Sequence, residues 1–570
     1  MPRGPKPRAA PLPLDVAGTL EQLLVSVPFD VVHVHDPFAP SAASAALRHS
    51  RALNVGSFHE PTERILSTQV ARPLVEIFLG RLDARTVAGE ATRELMNRFF
   101  PGTYELVPAG ARMVDAAWPR AGHGGPSQPL RIAYCGREER GALRLLLRAL
   151  RRVPLDLEWE AVVCLDETIP VPRVNRALAQ RITFVRPAEA DPAAVLAAAD
   201  VVCLASGGPR PAAGLIHQAF TSGTVPIASQ IPPYVEVLGE EESGFAFVPG
   251  DLITLAAQIE RLARDRALLE RSARLCGERA RSWGDVADQC EEIYDRIAAR
   301  RHDPRGNAEV RRRISRRRTI DCDLHMHTDH SNDCATPVEV LLETAKDRGM
   351  GAIAVTDHNE ISGALAAREA AERDGGIKVI VGEEVKTAEQ GEVIGLFLEE
   401  KIERGMTMAE TIAEIRRQGG LVYVPHPFDR LHSVPDYEHL LEMVEEIDIL
   451  EVFNPRVAFS GFNEEAERFA AKYRIVPGAG SDGHVAQALG SVRIRLHDFD
   501  GPEEFLEAMR SADIVRKHKN LVYVQALKWM QAASGQAGAR KQVTNAQPVQ
   551  GGRRHEARRA RASRSVRGKS

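Results

Sequence analysis

IDCDLHMHTDHSND, residues 320–333, is the stretch on which the reading of this chain turns. It begins as a strand. His325 and His327 stand two apart at its end, so their side chains point to one face. Asp333 follows in the next loop. Downstream the same design recurs as GAIAVTDH (351–358), IKVIVGEE (377–384), EVIGLFL (392–398), GLVYVPHP (420–427), IDILEVF (447–453) and RIVPGAGSD (474–482). Helical stretches separate most of these runs. Seven strand-like runs in about 170 residues predict a small β/α barrel.

The acids and histidines fall at the strand ends. Asp357 and His358 end the second run and Glu384 the third. Glu392 opens the fourth, His426 ends the fifth, and Asp482 and His484 follow the seventh. All but Glu392 lie at or just past a strand's C-terminal end, the face where such barrels gather catalytic groups. Imidazole with carboxylate suits zinc, manganese or iron. Each residue has an alternative: a lone strand-end histidine is often structural, Glu392 could be a solvated strand residue, and Asp357 could cap the following helix. Recurrence at successive strand ends favours a metal centre.

DLHMHTDHSND, VTDHNEISG, VGEEV, VPHPFDR and GAGSDGH, in that order, resemble the PHP (polymerase and histidinol phosphatase) family. The resemblance implies a distorted (β/α)7 barrel holding two or three divalent metals (Mn, Zn, Fe or Mg) at its C-terminal face. The ligands it implies are His325, His327, Asp333, His358, Glu384, His426, Asp482 and His484, with Glu384 bridging; Asp357 and Glu392 join the candidate set. Clustered dications lower the pKa of a bound water to roughly 7, so no side-chain nucleophile is needed. Asp482 and His484 are candidates for proton transfer, although a ligand is a poor free base. Arg430 and Arg456, just beyond strands, are candidates to hold phosphate bidentately, with surface ion pairing as the alternative. A short barrel of this kind resembles the branch that dephosphorylates nucleoside 3',5'-bisphosphates or trims nucleic acid in the 5'–3' direction.

Upstream, continuous apolar runs such as LRIAYCG (130–136), WEAVVCL (159–165) and ADVVCLA (199–205) alternate with helical stretches. That pattern predicts parallel sheets covered on both faces. VVHVHDP (31–37), GSFHEP (56–61), YCGREERGALRLLLRAL (134–150) and GLIHQAFTSGTVPIAS (214–229) resemble a family-4 glycosyltransferase with two Rossmann-type domains (GT-B), its first domain truncated at the opening strand. The resemblance implies a nucleotide sugar held by Arg137 and Arg140. Where the family carries two glutamates, this chain has Arg210 and Gln218.

The α/β chain of 570 residues is too long for one core. The expected layout is a disordered lead (1–26), a truncated transferase N-half (27–120), a C-half (126–300), a basic linker (301–318), the barrel (319–520), a helix (521–534) and a disordered Arg-rich tail (535–570). Net charge is −4, which gives no whole-chain reason to expect nucleic acid or membrane binding. RRRISRRR (311–318) and the tail are local exceptions that could contact nucleic acid or another polyanion; a solubilising role is the alternative. Seven cysteines without a CxxC pair fit a reducing cytoplasm, and no apolar run approaches the ~20 residues of a membrane span. The expected function is a metal-dependent phosphoesterase acting on a phosphorylated small molecule or nucleic-acid end. The alternatives are a sugar transferase with an accessory barrel and a non-catalytic, metal-stabilised binding module.

Overall fold

The computed structural model describes residues 14–38, 41–59, 78–113, 128–167, 169–239, 243–388, 391–429, 434–435 and 437–516. The chain divides into two compact units at Asp303/Pro304, with short later segments (Leu440–Glu445 and Ala471–Arg474) assigned to the first. The expected helix at 521–534 and the tail lie outside the described residues. Within the expected lead, Leu14–Ser26 forms a helix.

The first unit holds two parallel sheets. Strands β1 (Val31–His35), β2 (Leu53–Phe58), β3 (Ala84–Val87) and β4 (Glu105–Leu106) pair in sequence order. Strands β5 (Leu130–Cys135), β6 (Trp159–Cys164), β7 (Ile182–Val185), β8 (Val201–Leu204), β9 (Val225–Ser229) and β10 (Phe245–Phe247) form the second sheet, ordered β10-β9-β8-β5-β6-β7. β8 is wholly buried, as its unbroken apolar run requires. The helix Arg140–Leu150 turns Leu143, Leu146, Leu147 and Leu150 inward at helical spacing. Winding reverses between β5 and β8, the position where open α/β sheets form a ligand crevice.

The second unit is a nearly closed barrel. Strands β11 (Thr319–Asp323), β12 (Ala352–Val355), β13 (Lys378–Lys386), β14 (Glu392–Leu396), β15 (Leu421–Val424), β16 (Ile449–Phe453) and β17 (Val476–Ala479) neighbour one another in order. A parallel bridge between Met326 and Gly483 joins the two ends of the ring. β14 runs antiparallel to both β13 and β15, so the ring departs from an all-parallel barrel. β18 (Val492–His497) and β19 (Asp513–Arg516) add antiparallel strands beyond β11, which the sequence reading did not foresee. Cys322, Leu324, Ala352, Ala354, Ile394, Leu396, Tyr423 and Ile449 fill the core.

The basic run expected as a linker carries the helix Ala308–Ile314, whose Val310 and Ile314 join the barrel core. Asn307 caps it, accepting from the amides of Glu309 and Val310. Gly306 precedes it in the left-handed region at φ 55°, where a Cβ would lie 2.2 Å from the end of the Glu507 side chain. The arginines face acids of the same unit. Arg313 meets Glu504 at 2.8 Å, Arg317 meets Asp500 at 2.9 Å, and Arg318 meets Asp498 at 3.4 Å. These three of the six arginines in RRRISRRR are thus paired with acids of the same unit, at its surface. Among the described residues, no helix is long and apolar enough to cross a membrane.

Candidate metal centre

The barrel's rim brings most of the predicted ligands together around one carboxylate. Glu384, near the end of β13, is 1% exposed. Its Oε2 lies 3.2 Å from His325 Nε2, 3.5 Å from His327 Nε2 and 3.2 Å from His358 Nδ1. Its Oε1 lies 3.3 Å from His426 Nε2. Asp482 Oδ1 is 3.6 Å from His327 Nε2 and 3.2 Å from His484 Nδ1. Asp333, at the more open edge, places Oδ2 2.8 Å from His484 Nε2. Four overlapping triads can each present one donor atom to a common ion: His325–Glu384–His426, His325–His327–Asp482, His358–Glu384–Glu392 and His327–His358–His484.

Local structure explains these positions. Glu392 opens its strand, whereas the other ligands follow strand ends. Because β14 is antiparallel, its start pairs with the end of β13, Lys386 opposite Glu392, and so reaches the same rim. Asp323 Oδ1 accepts from Ser481 N and its Oδ2 from Gly490 N, both at 2.9 Å, which ties the Asp482–His484 loop to β11. Gly480 leaves room for His325; a Cβ there would lie 2.2 Å from His325 Cβ. His426 and Asp482 have φ of 28° and 47°, left-handed conformations that non-glycine residues adopt at a cost.

Electrostatics alternate across the cluster. Burial opposes charge on His325, but Glu384, Glu451 and Asp482 outweigh it and raise the pKa well above the ordinary value. Burial likewise opposes charge on His426, and Glu384 raises it to about 9. His327 goes the other way, to about 3, through burial and then the neighbouring His484 and His358. Burial resists ionisation of Asp482, yet Arg456 and His325 hold it well below the usual range. Neither ring nitrogen of fully buried His327 has a hydrogen-bond partner. An orphaned buried imidazole is costly. A cation between His327, His325 and Asp482 would satisfy it, so these residues fit a metal.

Two expected residues stand apart. Asp333 and Asp357 are both in none of the four triads, but Asp333 faces His484 whereas Asp357 accepts from Thr328 N at 2.6 Å and Thr328 Oγ1 at 2.7 Å and so braces the loop after His327. Arg456 is not a free phosphate clamp: its Nη1 donates to Asp482 Oδ1 at 2.5 Å and to His484 Nδ1 at 2.7 Å. Arg430 lies outside the described residues. The sequence reading also missed Glu451, a lone charge inside the otherwise apolar β16, which accepts from His325 Nδ1, Tyr423 Oη, His426 N and Asn454 Nδ2.

Residues 323–520 match the PHP domain family. The uncharacterized protein MJ1587 of Methanocaldococcus jannaschii is 37% identical over 147 residues, 24% of this chain and 82% of that relative. The chain belongs to the PHP family. The other unit has different relations. Residues 1–112 match Glycosyltransferase Family 4, and 129–265 match Glycosyl transferases group 1. The phosphatidyl-myo-inositol mannosyltransferase of Mycobacterium leprae is 29% identical over 296 residues, 50% of this chain and 78% of that protein. The 5'-3' exoribonuclease Rnm of Escherichia coli is 34% identical over 107 residues, 16% of this chain and 36% of that protein.

In the transferase-like unit of this PHP protein, two acids that follow β5 tie that strand's end to the backbone after β8. Glu138, 2% exposed, accepts from Ala205 N at 2.9 Å, Ser206 N at 2.8 Å and Tyr234 Oη at 2.5 Å. Glu139 accepts from Gly207 N at 2.6 Å and Ser206 Oγ at 2.7 Å. Arg137 and Arg140 are exposed beside them. Arg210 is exposed, and Gln218 donates to the Arg112 carbonyl at 2.7 Å.

Burial pushes the Glu138 carboxyl up to about 7 despite those hydrogen bonds. A raised folded value means Glu138 favours the fold below the unfolded pKa of about 4.3, and that contribution is lost as pH rises through 7. At about 1.4 kcal/mol per pKa unit, the loss is on the order of 3 kcal/mol. Glu138→Gln should therefore flatten the fall in stability between pH 5 and pH 8, as read by urea unfolding. An unchanged slope would show that another group carries it.

Proposed function

We propose that the barrel is a hydrolase that cleaves phosphoesters with the help of divalent metal ions. The observation that carries this reading is the set of four overlapping donor triads, two of which share Glu384 and the other two the orphaned His327 imidazole. His325, His327, Glu384, His426, Asp482 and His484 would hold the buried ion or ions, and Asp333, His358 and Glu392 the more open edge. When bound, such ions supply an activated water and neutralise charge on the phosphoester oxygens. Arg456 fixes Asp482 and His484 in place and contributes a positive charge beside them. Asp333, 43% exposed at its side chain, stands where a substrate would arrive.

The substrate class that fits best is a nucleotide phosphoester: a 3',5'-bisphosphate or the 5' end of an oligonucleotide. Partial similarity to a 5'-3' exoribonuclease supports the second. Sugar transfer has less support in the chain's own residues, because Arg210 and Gln218 stand where carboxylates are expected. The full chain loaded with Mn2+ should hydrolyse p-nitrophenyl phosphate, a nucleoside 3',5'-bisphosphate or a 5'-phosphorylated oligoribonucleotide. The double variant His325→Ala, His327→Ala should lose that activity. A manganese-loaded chain that turns over none of the three, or activity that survives the double change, would overturn the proposal.

A further inference from the structure

We propose that Glu451 is the positioning residue of the metal centre, a single carboxylate that sets three candidate ligands at once; this rests on the metal-centre reading above. Glu451 lies on β16 between Leu450 and Val452, and is 1% exposed. Burying a charge in an apolar strand is costly unless its lone pairs are filled. All of them are engaged here. Oε1 accepts from His325 Nδ1 at 3.1 Å and from Tyr423 Oη at 2.8 Å. Oε2 accepts from the His426 backbone N–H at 2.8 Å and from Asn454 Nδ2 at 3.0 Å.

Three of the four bonds lead to different candidate ligands. The bond to His325 Nδ1 requires the proton to sit on that nitrogen. Nε2 is then the nitrogen left to present to an ion, and it faces Glu384 at 3.2 Å and Asp482 at 4.0 Å. A carboxylate behind a ligating imidazole fixes both tautomer and ring plane, and makes the imidazole a better donor. The bond to His426 N–H holds that residue in its left-handed backbone conformation at φ 28°, aiming its Nε2 at Glu384. The bond to Asn454 continues outward, because Asn454 Nδ2 also donates to Asp482 Oδ2 at 3.2 Å. The Tyr423 hydroxyl, fully buried, completes the carboxylate's shell without touching a ligand.

Glutamine keeps the volume of Glu451 but offers one acceptor where two are needed, and sets an N–H against donors. Mn2+ binding to the full chain, followed by the loss of the free-ion electron paramagnetic signal, tests the assignment without turnover. Glu451→Gln should weaken apparent affinity by about 10- to 100-fold, the usual cost of losing an outer-sphere partner. The chelated variant should be less stable than the chelated wild type, because buried His325 loses a carboxylate partner, yet stay folded at the temperature of the titration, which unfolding curves check. Tyr423→Phe, which spares the contacts to His325, His426 and Asn454, should weaken binding by less. Asn454→Leu, which cuts the link to Asp482, should fall between them. Wild-type affinity in Glu451→Gln overturns the inference; if that variant does not fold, wild-type affinity in Asn454→Leu does so. A wild-type chain that binds no Mn2+ overturns the metal-centre reading itself, and the inference with it.

Discussion

Glu384→Gln is expected to cost the barrel about 10²- to 10⁴-fold in kcat/KM on any phosphoester it hydrolyses, together with bound metal. The carboxylate lies within 3.5 Å of four imidazoles, with three on Oε2 and one on Oε1. Removing one partner from a buried charge cluster costs about 3–5 kcal/mol, because the remaining charges stay buried and uncompensated. Where that energy is lost from metal binding, and with it from transition-state stabilisation, about 1.4 kcal/mol per decade gives the stated loss. The substituted amide would also present an N–H to at least one imidazole that now meets an acceptor. The neighbouring Glu383 provides the control. Successive residues on a strand point to opposite faces, and Glu383 Oε2 accepts from Ile402 N at 2.8 Å, away from the rim. Glu383→Gln should leave initial rates near wild type. Metal content by mass spectrometry and initial rates, measured on both variants, check the expectation. Equal losses at both positions would show that the loss at Glu384 is one of fold stability.

How much of this centre was legible in the sequence follows from what a linear pattern encodes. The spacing of His325 and His327, and the recurrence of acids and histidines at strand ends, mark a rim because side-chain direction follows from strand geometry alone. Strand direction is not encoded locally. EVIGLFL reads the same whether parallel or antiparallel, so Glu392 looked like an exception until the pairing of Lys386 with Glu392 placed it on the rim. Asp357 follows a strand just as Glu384 ends one, yet Thr328 engages both its oxygens, and only the tertiary path of residues 325–331 decides that. Arg456 carries the sequence signature of a phosphate clamp. Its partners, Asp482 and His484, are 26 and 28 residues away. Glu451 left one signal, a charge inside an apolar strand, but strand β16 alone does not say what faces it. RRRISRRR read as solvated because its acidic partners, Asp498, Asp500 and Glu504, lie nearly two hundred positions downstream.

Chelation is expected to lower the melting temperature of the barrel by about 5–20 °C, and by more at pH 9 than at pH 6. An ion present at a hundred times its Kd stabilises the fold by about 2.7 kcal/mol, so one or two ions contribute about 3–5 kcal/mol. For a domain of roughly two hundred residues, each kcal/mol moves Tm by about 2–4 °C. The pH dependence comes from the imidazoles left behind. In the metal-free barrel, His426 is raised to about 9, and His325 is raised well above its usual value. Folded values above the unfolded one give stability that is present below about 6.5 and is lost as pH rises through the folded values. His327, lowered to about 3, has the opposite sign: its penalty appears below about 6.5 and is flat above it. Between pH 6.5 and pH 9, therefore, the stripped protein loses the support of His325 and His426 with no compensation from His327. Metal ligation requires neutral imidazoles, so the loaded protein has no such protons to lose across that window. The gap between the loaded and stripped melting curves should widen with pH, as scanning fluorimetry with and without EDTA would show. A gap that stays constant from pH 6 to pH 9 would mean that His325 and His426 are already neutral when the ions are gone.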